Sequence, residues 1–247
     1  MRLFGIIGYP LSHSFSPGYF KDKFEKEAIV DCRYDRHELT SIDLFPDLIN
    51  NIKGLVGLNV TIPYKESVMV YLDEMDDISA EAGAVNTILI SNNNGKPHLK
   101  GFNTDVHGFI GSIESHVPDN AKALVLGTGG ASRAVEFSLR KMNIDMRFVS
   151  RVPESSDILG YHNLTEDIIN DHQIIINTSP VGMHPNVDEA PQIPYEGITS
   201  NHVLFDLVYN PLETLFLKKG KERGATVING LKMLHLQAEK AWEIWNS

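Results

Sequence analysis

Apolar runs of strand length alternate with segments of helical periodicity along nearly the whole chain. After Lys122 the strand-like runs are KALVLGT, MRFVS, IIINTS, VLFDLVY and TVIN, separated by helix-like ASRAVEFSLRKM, LTEDIIND and TLFLKKGKERG. Buried strands that alternate with helices usually pair in parallel, with helices on both faces of the sheet. The pattern therefore predicts an α/β fold.

The chain before residue 103 has the same alternation, with one exception. Its strand-like runs are RLFGIIG, DCRYDRHEL, LVGLNV, AVNTILIS and HLKGFN, and its helix-like segments are SPGYFKDKFEKEA, SIDLFPDLINNI and KESVMVYLDEM. AVNTILIS and HLKGFN meet across NNNG, a favourable hairpin turn, so one pair is expected to be antiparallel. This predicts a mixed, mostly parallel sheet.

The last segment predicts a helix with one apolar stripe, because its large side chains recur at helical spacing. The stripe contains Leu231, Leu234, Ala238, Ala241, Trp242 and Trp245. We expect this helix to return to the first of two α/β domains. The predicted domains are residues 1–103, completed by the C-terminal helix 230–247, and residues 104–229.

The composition excludes several classes of function. Acidic side chains outnumber basic ones by 32 to 22, a net charge of −10, whereas nucleic-acid binders usually carry a basic face. A single cysteine, Cys32, forms no internal disulfide and is typical of a reducing compartment.

No run reaches the length of a membrane span or signal sequence, so we expect a cytoplasmic protein without a membrane partner. The histidines lack ligand-like clustering, and no metal is expected.

The segment VLGTGGASRA contains the strongest short signal. An apolar strand runs into a glycine-rich turn and a helical pattern follows at once, which is the arrangement that binds a dinucleotide pyrophosphate. The alternative is a plain tight turn between a strand and a helix. With both flanking elements present, we favour a Rossmann-like domain. The candidate cofactor residues here are Gly127, Gly129, Gly130 and Ala131.

The residues that follow the next strand bear on the choice of cofactor. NAD-preferring sites carry an acid about 20 residues after the glycine turn, to hold the ribose 2′-hydroxyl. This chain has Ser150 and Arg151 there instead. Arginine forms strong charge-assisted bonds to phosphate, although a lone arginine can also be an ordinary solvated side chain. The missing acid favours NADP over NAD.

Compact polar side chains follow several strands of the first domain, where open α/β sheets bind ligands. Each has a structural alternative, such as capping a helix or satisfying a bend. Their recurrence predicts a pocket for a small polyhydroxylated ligand. The candidates are Ser14, Ser16, Asn59, Thr61, Lys65, Asn86 and Asp105.

Two of these side chains are candidates for proton transfer. Lys65 is predicted to open a helix, whose dipole disfavours the charged amine, and Asp105 is expected to orient it. A lysine tuned in this way can act as a general acid–base.

These motifs together resemble the shikimate dehydrogenase family in order along nearly the whole chain. HSFSP is similar to the serine-x-serine substrate motif, NVTIPYK to the segment with the catalytic lysine, and GAVNT and NTD to the next two substrate motifs. GTGGAS resembles the cofactor loop, and NTSPVGM, DLVYNPLET and NGLKMLHLQA resemble later segments. The resemblance implies NADPH-dependent reduction of 3-dehydroshikimate to shikimate, in the biosynthesis of aromatic amino acids.

The resemblance also implies roles for particular residues. Lys65 and Asp105 would form the catalytic pair, and Tyr209 and Gly230 would lie near the nicotinamide and the substrate. The substrate would be lined by Ser14, Ser16, Asn59, Thr61, Asn86, Asp105 and Gln237, and the remaining cofactor contacts would come from Gly127, Gly129, Gly130, Ala131, Ser150 and Arg151.

The chain departs from the family pattern after Arg151. The family usually has Asn-Arg-Thr followed by a second arginine, which is absent here, and RVPESSDILGYHNL has little helical pattern. Dual cofactor use therefore stays open. A silent NADPH-binding module is disfavoured by Lys65 and Asp105, and an NAD-dependent quinate enzyme by Ser16 and Arg151. We expect a monomer or a homodimer, and a structural role for His13.

Overall fold

The computed structural model describes residues 1–12, 14–93 and 95–247. They form two compact units, Met1–Thr104 with Gln237–Ser247, and Asp105–Leu236. The sequence placed the divisions after residue 103 and before residue 230, so the structure divides the last helix between the units. His13 lies outside the described residues. No helix in the described part of the chain is long and apolar enough to cross a membrane.

The first unit contains a mixed six-stranded sheet, in the order β2-β1-β3-β5-β6-β4. β1 pairs in parallel with β2 and β3, β4 in parallel with β6, and β5 is antiparallel to both β3 and β6. This confirms the predicted mixed sheet. The strands are β1 (Arg2–Gly8), β2 (Cys32–Glu38), β3 (Leu55–Val60), β4 (Glu74–Met75), β5 (Thr87–Asn93) and β6 (Lys96–Phe102), and the helices are α1 (Ser16–Lys26), α2 (Phe45–Asn51) and α3 (Asp77–Ala82).

The second unit contains a six-stranded parallel sheet, in the order β12-β11-β10-β7-β8-β9. This is the strand order of a Rossmann fold, as predicted. The strands are β7 (Lys122–Leu126), β8 (Asp145–Ser150), β9 (Ile158–Gly160), β10 (Ile174–Asn177), β11 (Val203–Asp206) and β12 (Thr226–Asn229), and the helices are α4 (Thr104–Ile113), α5 (Gly130–Lys141), α6 (Glu166–Asn170) and α7 (Leu215–Glu222). The last helix, α8 (Leu231–Trp245), is divided between the two units.

The C-terminal part of the apolar stripe predicted for α8 packs in the first unit. Ala238, Ala241 and Trp245 pack with aromatic side chains of the first unit, whereas Met233, which the stripe did not include, packs in the core of the second. The Trp245 indole Nε1 donates a 3.0 Å hydrogen bond to the carbonyl of Ile88. Each half of α8 therefore buries side chains in the core of its own unit.

One local prediction was wrong, and one helix was missed. KESVMVYLDEM is a 3₁₀ helix (Ser67–Tyr71) followed by β4, and the sequence did not predict α3. The tyrosine of this segment packs against Phe45, and Val68 is fully buried, so tertiary packing overrides helical propensity. The connection after β8 has no helix, in agreement with its weak pattern, and leads directly to β9.

Candidate active site

A hydrogen-bonded chain joins predicted ligand residues of the first unit. The Tyr34 hydroxyl, on β2, donates to Asn59 Oδ1 at 2.7 Å, and the hydroxyl of Ser16 hydrogen-bonds to the same tyrosine. Burial raises the pKa of Tyr34 well above its usual range, while the bond from Ser16 lowers it. Tyr34 is held in place by stacking on Phe20, with ring centroids 4.6 Å apart. Ser16 and Asn59 are thus positioned by one tyrosine, which sequence reasoning missed.

The chain continues through the amide groups at the ends of β3 and β5. Asn59 Nδ2 donates to the Asn86 carbonyl at 3.3 Å and to Thr87 Oγ1 at 3.2 Å. Asn86 Oδ1 accepts from the backbone N–H of Thr104 at 2.7 Å, and Thr104 Oγ1 donates to Gln237 Oε1 at 3.5 Å. The structure therefore brings Ser16, Asn59, Asn86 and Gln237 into one connected set.

Three predicted ligand residues have a polar group that stays available to a ligand. Among the described residues, none hydrogen-bonds to the hydroxyls of Ser14 and Thr61 or to Nδ2 of Asn86. Asn59, by contrast, is only 4 % exposed and uses both ends of its amide within the protein. Direct ligand contacts therefore fit Ser14, Thr61 and Asn86, and Asn59 fits a positioning role.

Lys65 lies in a turn rather than at the start of an α-helix. Lys65 precedes the 3₁₀ helix by two positions, and no α-helix begins there. The expected effect of an α-helix dipole on the amine is therefore absent. Its carbonyl accepts from the backbone N–H of Val85 at 2.8 Å, next to Asn86. The lysine is half-buried and its backbone is tied to the strand end that carries Asn86.

Ser16 does not take the alternative role of a helix cap. Phe15 occupies the N-cap position of α1, no side chain caps it, and Ser16 is the first helical residue. Ser16 is 7 % exposed, and its hydroxyl is turned to Tyr34 instead.

The glycine turn of the second unit has the form required for a phosphate. Gly127 has φ +114, a conformation that L side chains rarely adopt, and a Cβ there would lie 2.9 Å from Thr178 Oγ1. A Cβ on Gly129 or Gly130 would meet no atom within 4 Å, so open space lies in front of them. Gly129 is the N-cap of α5, and no described side chain caps that helix. Its first N–H groups can thus receive an anion.

A cavity of about 860 Å³ opens beside this turn, within the second unit. It follows the carboxyl ends of the central strands, as expected for a nucleotide site. Its volume, the open cradle and the strand order together fit a dinucleotide. The lining includes Gly127, Thr128, Gly129, Ser150, Arg151, Tyr161, His162, Thr178, Ser179, Pro180, Val181, Gln192, Leu215 and Lys219.

The end of β8 carries no acid that could hold a ribose 2′-hydroxyl. Ser150 and Arg151 both line the cavity. The Ser150 hydroxyl donates to the Val152 carbonyl at 3.0 Å and accepts from the same residue's N–H at 3.3 Å, closing a local turn. Arg151 is exposed at the cavity wall.

Comparisons with known proteins show the family to which the chain belongs. Residues 6–88 match the family model described as the shikimate dehydrogenase substrate binding domain. A shikimate dehydrogenase (NADP(+)) from Methanococcus maripaludis is 40 % identical, and the match covers 99 % of this chain and 91 % of the relative. The chain belongs to the shikimate dehydrogenase family.

Solved shikimate dehydrogenases have the same fold. The enzyme from Aquifex aeolicus is 34 % identical with a TM-score of 0.85, and the match covers 100 % of this chain and 92 % of that one. The enzyme from Thermus thermophilus, in complex with NADP(H) and shikimate, is 30 % identical with a TM-score of 0.85, covering 99 % and 93 %.

The remaining predicted residues lie in the second unit. Asp105 is in the first turn of α4, and burial raises the pKa of Tyr209. Gly230 is buried against the chain after β11, where a Cβ would lie 2.2 Å from the Leu207 carbonyl oxygen. Gly130 and Ala131 form the first turn of α5. The pairing of Asp105 with Lys65 joins residues of different units and stays a prediction.

Sequence reasoning missed much of the cavity wall. Thr178, Ser179 and Val181 follow β10, and the rule that ligands lie beyond strand ends could have found them. Tyr161 and His162 follow β9, which is too short to be recognised from its sequence. No sequence signal distinguishes Tyr34 from other strand tyrosines.

Proposed function

We propose that this member of the shikimate dehydrogenase family reversibly reduces 3-dehydroshikimate to shikimate with NADPH. The observation that carries the proposal is the hydrogen-bonded chain from Ser16 to Gln237, which supports several predicted substrate residues in one arrangement. Most of it falls in the segment that matches a shikimate dehydrogenase substrate binding domain. A polyhydroxylated carboxylate needs such a set of fixed polar groups, because every buried hydroxyl must find a partner.

The substrate contacts divide into direct and supporting ones. Ser14, Thr61 and Asn86 offer groups without partners among the described residues, and these suit the carboxylate and hydroxyls of shikimate. Asn59 and Ser16 hold the surrounding strand ends through Tyr34. Gln237 and Tyr209 complete the proposed set.

The proton transfer is assigned to Lys65 and Asp105. When bound, NADPH supplies the hydride that reaches the carbonyl carbon of 3-dehydroshikimate. The ammonium of Lys65 donates the proton that the carbonyl oxygen takes up, and in the reverse direction the amine removes it from the shikimate hydroxyl. Asp105 orients the amine. The turn that carries Lys65 is fixed by the hydrogen bond from Val85 to its carbonyl.

The cofactor is assigned to the 860 Å³ cavity. Gly127, Gly129, Gly130 and Ala131 bring backbone N–H groups to the pyrophosphate, and Ser150 and Arg151 take the adenosine ribose and its 2′-phosphate. Gly230 would lie near the nicotinamide. The absence of an acid at the end of β8 supports NADP over NAD.

A rate assay with two substrates and two cofactors tests the proposal. The purified protein is given shikimate or quinate with NADP⁺ or NAD⁺, and reduced cofactor is followed by absorbance. We expect the highest kcat/KM with shikimate and NADP⁺. Absence of NADP-linked shikimate oxidation across neutral and alkaline pH would overturn the assignment, and a preference for quinate with NAD⁺ would favour a catabolic enzyme.

The proposal includes a cytoplasmic location and a monomer or homodimer. Light scattering on the purified protein gives its mass in solution and decides between the two states. A larger assembly would contradict this part.

A further inference from the structure

The ends of β8 and β9 lie side by side at the wall of the cavity. The strands pair in parallel, with Ser150 opposite Gly160. The residues that follow them, Arg151 on one strand and Tyr161 and His162 on the other, therefore emerge at the same edge, and all three line the cavity. The positive charge of Arg151 lowers the pKa of Tyr161, although burial raises it more. Arg151 therefore stands close to the turn that carries His162.

The His162 ring is folded back over the end of β9. A Cβ on Gly160 would lie 2.5 Å from His162 Cε1 and 2.7 Å from Nδ1, so the glycine makes room for the ring. Asn163 Oδ1 accepts from the N–H of Gly160 at 3.2 Å and closes the turn. Within the part of the chain that the structure describes, neither His162 nor Arg151 has a hydrogen-bond or ion-pair partner. Both present unused donors to the cavity.

The other charged groups of the cavity wall lie on other elements. Two acids, Asp188 and Glu189, line the cavity from the connection between β10 and β11. Lys219 of α7 stands 4.6 Å from the ring centroid of Tyr195. The acids of the connection between β8 and β9, Glu154 and Asp157, are exposed and do not line the cavity. The β8–β9 edge of the wall thus presents an arginine and a histidine without a carboxylate.

We infer that His162 binds the 2′-phosphate of the cofactor together with Arg151 and so determines specificity for NADP(H). The inference rests on the proposed function, since it names a residue of that cofactor site. A phosphate monoester accepts hydrogen bonds from guanidinium and imidazole N–H groups, and each such bond to a charged group contributes measurable affinity. The 2′-hydroxyl of NAD(H) offers no such charge. Loss of the imidazole therefore weakens binding of the phosphorylated ribose selectively.

Calorimetric titration with two nucleotides tests this without turnover. The probes are adenosine 2′,5′-bisphosphate and adenosine 5′-monophosphate, titrated into the full chain and into His162→Ala, His162→Arg and His116→Ala. His116 is exposed in the same unit and does not line the cavity, so it is the matched control. We expect His162→Ala to raise the Kd of the bisphosphate roughly tenfold, with the monophosphate within about twofold. His162→Arg should restore bisphosphate affinity, and His116→Ala should change neither.

Other outcomes overturn the inference. These are an equal loss for both nucleotides, an unchanged Kd for the bisphosphate, or failure of the unmodified chain to prefer the bisphosphate. Urea unfolding of His162→Ala identifies a folding defect, and recovery by His162→Arg shows that the site itself is intact. The rate assay distinguishes failure of this inference from failure of the proposed function. Suppose that the unmodified chain oxidises shikimate with NADP⁺ and that His162→Ala prefers NADP⁺ over NAD⁺ as strongly as the unmodified chain does. This inference then fails and the proposed function stands.

Discussion

The carboxylate of Asp206 accepts a 2.6 Å hydrogen bond from the Thr214 hydroxyl, and neither residue has exposed surface. The same carboxylate accepts from Asn177 Nδ2 and from the N–H of Val208, each at 3.0 Å. Asn177 Oδ1 in turn accepts from the Ser179 hydroxyl at 2.6 Å, and Thr214 caps α7. One buried acid therefore connects the Ser179 loop and α7, which supply two parts of the cavity wall.

This acid predicts a specific dependence of stability on pH. Burial raises the pKa of Asp206 to about 6, although its hydrogen bonds lower it. The folded chain then holds the proton more tightly than the unfolded chain, whose aspartate pKa is about 3.9. The contribution of Asp206 to the free energy of unfolding is therefore greatest below pH 4 and is lost as the pH rises to about 6.

Substitution isolates that contribution. Asp206→Asn keeps the shape and cannot ionise, so the free energy of unfolding of the unmodified chain, relative to the variant, should fall by about 2 kcal/mol between pH 4 and pH 7. Urea unfolding at several pH values measures the difference. Asp157→Asn, at an exposed position, should give a profile parallel to that of the unmodified chain. Parallel profiles for Asp206→Asn would show that the buried carboxylate does not titrate in this range.

The Tyr34 hydroxyl predicts linked effects on stability and on substrate binding. Tyr34→Phe removes the donor to Asn59 Oδ1, a buried acceptor, and should cost about 1–3 kcal/mol of unfolding free energy. Because Ser16 and Asn59 lose their common partner, we expect the KM for shikimate to rise several-fold with little change in the KM for NADPH.

A matched tyrosine provides the control. The hydroxyl of Tyr71 donates to the exposed Asp43 at 3.2 Å, so Tyr71→Phe should change the free energy of unfolding by less than about 0.5 kcal/mol. Equal effects of the two substitutions, in unfolding and in KM, would show that Tyr34 does not organise the proposed substrate site.

Patterns of strand and helix were the part of the fold that the sequence predicted best. The parallel strands of the second unit are continuous apolar runs, which are recognisable in the sequence. The turn at Gly127 is recognisable because its backbone conformation favours glycine. The contacts that organise the site could not be predicted from the sequence. Tyr34 meets Asn59 across 25 positions, and no local pattern encodes such a contact. The helix predicted from Lys65 failed for the same reason, since burial of Val68 against the first unit's core decides that segment.

Arg151 predicts cofactor discrimination. Arg151→Ala removes the guanidinium from the cavity wall and should raise the KM for NADPH by roughly 10- to 100-fold, since a hydrogen bond to a charged group contributes about 1.5–3 kcal/mol. The KM for NADH should change little, because its ribose carries no 2′-phosphate. Arg147→Ala is the control, at an exposed position of the same strand that does not line the cavity. Equal increases for NADPH and NADH would mean that Arg151 does not read the 2′-phosphate.

Lys65 and Asp105 predict a loss in kcat. Lys65→Ala should lower kcat by roughly 10² or more with a smaller change in KM, because positioned proton transfer contributes about 10²–10⁴ to the rate. Asp105→Asn should also lower kcat. Steady-state oxidation of shikimate with NADP⁺ measures kcat for both variants. Lys53→Ala, an exposed lysine of the same unit as Lys65, should leave kcat unchanged. A normal kcat in Lys65→Ala would remove the amine from the chemistry, whereas a selective rise in the KM for shikimate would assign it to substrate binding alone.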